Sequence, residues 1–315
     1  MTPQAAFDSS VFRFYACLVA GLLVVAGVAI PLVGRLKRKD VGSVWRTYVG
    51  WLIMIPLIFA AVVIGRWGVI AGVTALAIFA FKEFARATGL YRDWGLTLTA
   101  YAGIALGGVA TLVNDPFQHV PGWWGTYLAM PVYVISALLA VPIVRNRAQG
   151  QLQLMSLAIL GYVYVGWMFG YLGWLANTPH AYGYLLYLLL ATELNDVAAF
   201  TCGKLLGRHK LRSNISPNKT VEGSLGAVVV SLLLPLAVWF SFPHFTWWQC
   251  LLAGLTVGVG GQLGDLAISV IKRDVGIKDM GVLIPGHGGL LDRIDSLIFV
   301  APLFVHQVNY FHGLR

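Results

Sequence analysis

Apolar residues run through this chain in long blocks, many of them near twenty residues, separated by short polar breaks. Blocks of that length predict helices that cross a bilayer, because about 20 residues rising 1.5 Å each cover a hydrocarbon core of roughly 30 Å. Ten spans are predicted, near residues 11–33, 48–65, 67–82, 95–113, 126–144, 155–176, 182–202, 224–242, 247–268 and 290–311. A soluble α/β enzyme would instead show buried strands of about four to eight apolar residues. The predicted fold class is therefore an all-α integral membrane protein of about ten transmembrane helices.

Composition agrees: 58% of the residues are hydrophobic and 11% are charged, against about 25% charged in a soluble domain. The net charge of +9 does not point to nucleic acid, because no basic run interleaves with aromatics on a soluble unit. It follows topology instead. Basic residues gather in alternate loops: Arg35 to Arg46, Lys82 to Arg92, Arg145 and Arg147, Lys204 to Lys219, and Lys272 to Arg293. Nineteen of the 22 lie on one side, which the positive-inside rule makes cytoplasmic. Both termini then lie on the other side, where Trp123-Trp124 and Trp247-Trp248 suit an interfacial belt. The first apolar run has no basic segment before it and reads as a retained helix. Cys17, Cys202 and Cys250 have no metal-binding spacing and read as packing residues.

One stretch runs against this economy of charge. Ser269 to Asp295 places eight Lys, Arg and Asp residues in 27 positions, around Pro285-Gly-His-Gly-Gly289. An ionisable group inside a span costs several kcal/mol unless paired or hydrated, so each is a functional candidate. Such acids divide the chain into an apolar region, 1–150, and a C-terminal region, 151–315, with cytoplasmic loops 203–223 and 269–293. Glu193 and Asp196 share a helical face at i,i+3. Asp265 leads along its helix to Ser269 and Lys272, and Asp292 and Asp295 open the last span. All these acids are expected near the cytoplasmic boundary, beneath the basic loops.

Carboxylates under a basic, glycine-rich loop suit a divalent metal that bridges phosphates, and Mg²⁺ takes one or two carboxylates plus substrate oxygens. Glycines such as Gly288 and Gly289 let backbone N–H groups approach an anion. Lys219, in Ser216-Pro-Asn-Lys-Thr-Val-Glu-Gly223, is not part of a Walker A pattern. Blander readings stand beside these. Inner-loop lysines and arginines set topology by default, Asp274 and Asp279 could be solvated loop charges, and Glu193 could bond a neighbouring helix. The Gly260-to-Gly264 spacing suits close helix packing.

At these residues the chain resembles the CDP-diacylglycerol synthases (phosphatidate cytidylyltransferases). The resemblance rests on Ser269-x-x-Lys272-Arg273, Lys278-Asp279-x-Gly281, Pro285-Gly-His-Gly-Gly289 and Asp292-Arg293-x-Asp295, with the 216–223 segment upstream. It implies a helical membrane enzyme that makes CDP-diacylglycerol and pyrophosphate from CTP and phosphatidic acid. It implies a Mg²⁺-dependent site, with a second cation such as K⁺, and a homodimer. Asp265 and Asp292 match the family's metal-bearing acids, while Asp196 and Asp295 are further metal candidates. Lys219, Lys272, Arg273 and Arg293 are expected to meet phosphates, with Gly288 and Gly289 at the nucleotide, and His287 to shape the loop or bind phosphate. Asn195-Asp-Val-Ala-Ala-Phe200 departs from the family's usual Asp-Thr/Ser-x-Ala-Tyr by lacking the aromatic hydroxyl. The expected setting is a multi-pass protein of a bacterial inner or plasma membrane, its site facing the cytoplasm. A CTP-dependent lipid kinase of the polyprenol or phytol type is the enzyme alternative, and a membrane transporter the alternative from another class.

Overall fold

The structure, a computed structural model, describes residues 1–37, 41–113, 123–281 and 288–312. Its helices are α1 (Pro3–Asp8), α2 (Ser10–Lys37), α3 (Gly42–Ile64), α4 (Arg66–Ala87), α5 (Trp94–Val113) and α6 (Trp123–Val144). Then comes one continuous helical rod, in which α7 (Gln151–Leu160) passes through a π-helical stretch, Gly161–Met168, into α8 (Phe169–Trp174). After it follow α9 (Ala181–Leu206), α10 (Val221–Ala237), α11 (Trp247–Val275) and α12 (Leu291–His312). Among the described residues nine helices are long and apolar enough to cross a bilayer, the α7–α8 rod counting as one. This is an all-α multi-pass membrane protein. The span expected at 224–242 is α10, apolar but 17 residues long and shorter than the others. Helices dominate because lipid offers backbone groups no partners, so each apolar segment must close its own hydrogen bonds.

The loop after α9 departs from pure helix. It carries a two-stranded antiparallel hairpin, β1 (Lys210–Arg212) with β2 (Ser216–Thr220). The polar composition of 203–223 made a loop legible there but not its pairing.

Two local devices place the C-terminal helices. Thr220 caps α10, its hydroxyl accepting from the Gly223 N–H at 3.1 Å. Gly276 ends α11 in the left-handed region (φ +77°), with the Ile277 N–H returning to the Lys272 carbonyl at 2.9 Å. That turn is the glycine-terminated helix stop, and it halts α11 just beyond Lys272 and Arg273.

Close backbone approach holds α9 to α12 together. A methyl group on Gly223 would stand 2.5 Å from the Ala199 carbonyl, and one on Gly264 would stand 2.5 Å from the Asp295 carbonyl. Gln262 of α11 also bonds the Ser224 carbonyl of α10 at 3.1 Å. The α7–α8 rod packs between α12 and the pair α4 and α5. By contrast α2 is covered mainly at its start, where Phe12 and Tyr15 are buried and the Tyr15 hydroxyl meets Ser241 Oγ at 2.9 Å.

At the end of the bundle opposite the basic loops, Arg66 is buried rather than a plain turn residue. Its guanidinium reaches Asn177 Oδ1 at 2.5 Å and the last-turn carbonyls of α5, Leu112 at 2.5 Å and Thr111 at 3.2 Å. It therefore satisfies orphan helix-end carbonyls where α5 meets the end of the α7–α8 rod. Arg66→Met is expected to lower stability by about 1–3 kcal/mol, the cost of leaving such acceptors unpaired. An unchanged melting temperature in detergent would contradict that role.

Candidate functional site

The basic end of the bundle gathers most of the acids singled out in the sequence. Asp265, on α11, pairs with Lys219 of β2, Nζ to Oδ2 2.5 Å, and accepts from Ser269 Oγ at 3.3 Å. Asp292, in the first turn of α12, pairs with Lys272 of α11 at 2.9 Å, and both side chains are nearly covered. The other Asp292 oxygen accepts backbone N–H groups from Met280 at 2.8 Å and Gly289 at 3.1 Å. Breaking a buried pair of this kind costs about 3–5 kcal/mol, because it strands a charge.

Asp295 is buried one turn further along α12 and lies within electrostatic reach of Asp265, Asp196 and Lys272. Asp196, on α9, also feels Lys219 and Arg293, and Glu193 feels Asp196 and Arg293. The expected convergence of α9, α11 and α12 is thus present in the geometry. Two kinds of carboxylate result. Asp292 and Asp265 are each paired with a lysine, Asp292 with two backbone donors besides, whereas Asp196 and Asp295 lie within electrostatic reach of Asp265 and of one another. Among the described residues no three His, Cys, Asp or Glu side chains form a closed metal nest.

The hairpin is fastened over this end. Glu222 accepts from the Arg208 N–H at 3.0 Å, the His209 N–H at 3.2 Å and His209 Nδ1 at 2.6 Å. The Arg208 amide is the foremost of the groups that hold the Glu222 carboxyl far down, at about 2. Arg273 Nε donates to the Ile215 carbonyl at 3.2 Å, tying the hairpin to the end of α11. These contacts place Lys219 against Asp265. Arg273 therefore has a backbone partner on the hairpin, and Arg293 is exposed beside Glu193 and Asp196.

Gly288 adopts the left-handed conformation, φ +82°, and Gly289 donates to Asp292. His287 lies outside the described residues.

Two residues at this site were not singled out in the sequence. Tyr164, in the π-helical stretch, is buried, with its hydroxyl donating to the Gly264 carbonyl at 3.3 Å. It lies within electrostatic reach of Asp295 and Asp265. A π-helix changes the register of its side chains, so a 3.6-residue pattern cannot place Tyr164. The other is Glu83, near the end of α4, whose Oε2 accepts the Leu291 N–H at 2.8 Å. Its one available signal was an acid at the edge of an apolar block.

Comparison with known proteins adds a family to this geometry. Residues 45–311 match the model of the cytidylyltransferase family. The chain is 36% identical over 240 residues to the uncharacterized protein YnbB of Escherichia coli (strain K12), covering 68% of this chain and 80% of that one. It is 44% identical over 152 residues to a phosphatidate cytidylyltransferase of Staphylococcus haemolyticus (strain JCSC1435), covering 48% and 55% of the two chains. Over 193 residues it is 40% identical to a phosphatidate cytidylyltransferase of Staphylococcus aureus (strain COL), covering 59% and 71%.

The contact of Gly264 with Asp295 sets the separation of α11 and α12 at the level of the carboxylates. Gly264→Ala is expected to cost about 1–3 kcal/mol through overpacking, measured as a lower melting temperature in detergent. Wild-type stability in that variant would show that the helices part there without cost.

Proposed function

The chain belongs to the cytidylyltransferase family, and from that premise we propose that it makes CDP-diacylglycerol and pyrophosphate from CTP and phosphatidic acid. One observation carries the reading: two lysine–carboxylate pairs, Lys219–Asp265 and Lys272–Asp292, stand with Asp196 and Asp295 at the basic end of an apolar bundle. A water-soluble nucleotide and a lipid phosphate can meet only where helices leave the hydrocarbon. We propose that this end faces the cytoplasm of a bacterial inner or plasma membrane, as the distribution of basic residues suggests, and that the enzyme is a homodimer, as the family resemblance implies.

In this reading a phosphate oxygen of phosphatidic acid forms a bond to the α-phosphorus of CTP. The bond from that phosphorus to the β-phosphate oxygen breaks, and pyrophosphate leaves with the electron pair. The nucleophile is already an anion, so the site needs no strong general base. Lys219 and Lys272, held beside Asp265 and Asp292, supply positive charge for the phosphates, with Arg273 and Arg293 at the margins. Gly288 and Gly289 allow backbone to approach the nucleotide. His287 is kept as a loop-shaping or phosphate-binding residue.

The chemistry of the donor atoms is what supports Mg²⁺ in this reading. Asp196, Asp265 and Asp295 offer hard carboxylate oxygens in mutual electrostatic reach, and Mg²⁺ needs one or two such ligands beside water and substrate oxygens. Asp265 and Asp292 are proposed to hold it, with Asp196 and Asp295 as further ligands or as the seat of a second cation such as K⁺. When bound, it would neutralise charge on the triphosphate and the departing pyrophosphate.

The purified protein is expected to release pyrophosphate from CTP and phosphatidic acid with Mg²⁺, and to stop when the metal is chelated. Release of CDP with a phosphorylated lipid would instead identify a lipid kinase, and unchanged lipid with every acyl composition would sink the assignment. Lys272→Met is expected to lower kcat by about a hundredfold, the scale of losing one preorganised charge-stabilising group. Near-normal turnover in Asp265→Asn or Asp292→Asn would refute the metal role.

A further inference from the structure

Glu83 sits far from the C-terminal motifs in sequence, yet its carboxylate lies against Gly281, Gly289 and the first residue of α12. Its Oε2 accepts the Leu291 N–H at 2.8 Å, across 208 residues of chain. The other oxygen, Oε1, is buried and has no hydrogen-bond partner among the described residues. Two glycines make room for this carboxylate. A methyl group on Gly281 would collide with Oε1, and one on Gly289 would stand 2.8 Å from Oε2. The same position on Gly289 is 2.9 Å from Asp292 Oδ2 and 2.7 Å from the Gly281 nitrogen. Glu83, Gly281, Gly289 and Asp292 thus meet at one point.

The chemistry of that point is particular. Leu291 begins α12, so its N–H is one of the four donors that a helix leaves without an internal partner. A carboxylate at a helix N-terminus is favoured by the aligned peptide dipoles. Asp292 supplies one carboxylate there and accepts the Gly289 and Met280 N–H groups, while Glu83 supplies the second from another helix. Glu83 makes this contact from α4, 208 residues away in the chain. Its contacts lead directly to the Asp292–Lys272 pair.

We propose that Glu83 is a positioning residue: by accepting the Leu291 N–H it fixes the entry of α12 and so aims Asp292 and Lys272. In this way α4, from the apolar part of the chain, completes a site whose other members lie beyond residue 160. The effect on turnover rests on the cytidylyl-transfer reading, whereas the effect on the loop does not.

The test uses three variants of the full-length protein in detergent or nanodiscs. Glu83→Gln keeps an acceptor at the same reach and is expected to retain most of the turnover. Glu83→Asp keeps the charge, is one methylene too short to reach Leu291, and is expected to lower kcat. Glu83→Ala is expected to lower it on the order of a hundredfold, the scale of a misplacement near 1 Å at a reacting centre. Hydrogen exchange at the Leu291 amide, read in peptides covering 288–297, should accelerate in Glu83→Asp and Glu83→Ala and stay slow in Glu83→Gln. Wild-type turnover in Glu83→Asp, loss of turnover in Glu83→Gln with Leu291 still protected, or unaltered exchange in Glu83→Ala overturns the proposal. If the wild-type protein releases no pyrophosphate, the substrate reading fails, and the exchange arm still decides the role of Glu83.

Discussion

Charge inside an apolar bundle is tolerated only when something answers it, and this protein answers nearly all of it at one end. Lys219 meets Asp265, Lys272 meets Asp292, and the hairpin that carries Lys219 is itself fastened by Glu222 and Arg273. Removing Lys272 would leave the nearly covered Asp292 carboxylate in a medium that solvates it poorly. The pairs depend on the helix packing, and the packing must also accommodate the pairs. The same arrangement suits phosphate chemistry, because lysines held close to acids are already desolvated and oriented.

Glycine makes this proximity possible. α10 lies against α9 through Gly223 and against α11 through Gly254, where an added methyl group would meet the neighbouring backbone carbonyl at under 3 Å. α11 lies against α12 through Gly264 in the same manner. In lipid no hydrophobic force draws helices together, so backbone contact and interhelical hydrogen bonds such as that of Gln262 must do so. The carboxylates of α9, α11 and α12 come within reach of one another because the helices that bear them have almost nothing between them.

The sequence made a particular part of this legible. Long apolar blocks showed the helices, and acids at i,i+3, with Ser269 and Lys272 at i+4 and i+7 from Asp265, showed which faces would meet. Lys272 with Asp292 and Lys219 with Asp265 come from segments read together as one site, although which lysine would meet which acid was not apparent. Three features escaped, each for a physical reason. The hairpin at 210–220 is too short and polar to carry a strand pattern. Glu83 acts through a tertiary contact 208 residues away, which no local pattern records. Tyr164 lies where the helical period changes.

That change of period lets one helix serve two sets of neighbours. Within the π-helical stretch, Gly161 fits against Phe81 and Phe84 of α4 and Gly166 against Ile104 of α5, while Tyr164 turns to Gly264 of α11. An ordinary α-helix advances about 100° per residue. A π-helical stretch turns less per residue, so a chain one residue shorter here could close the same rod as plain α-helix with its two ends in nearly the same register, and only residues inside the stretch would change direction. Gly161, Tyr164 and Gly166 lie within it, and they could not then all keep their partners. The surplus residue in this stretch works as a local phase adjuster, letting side chains within it serve the apolar packing of α4 and α5 and the polar end of α11 while the rod on either side keeps its course.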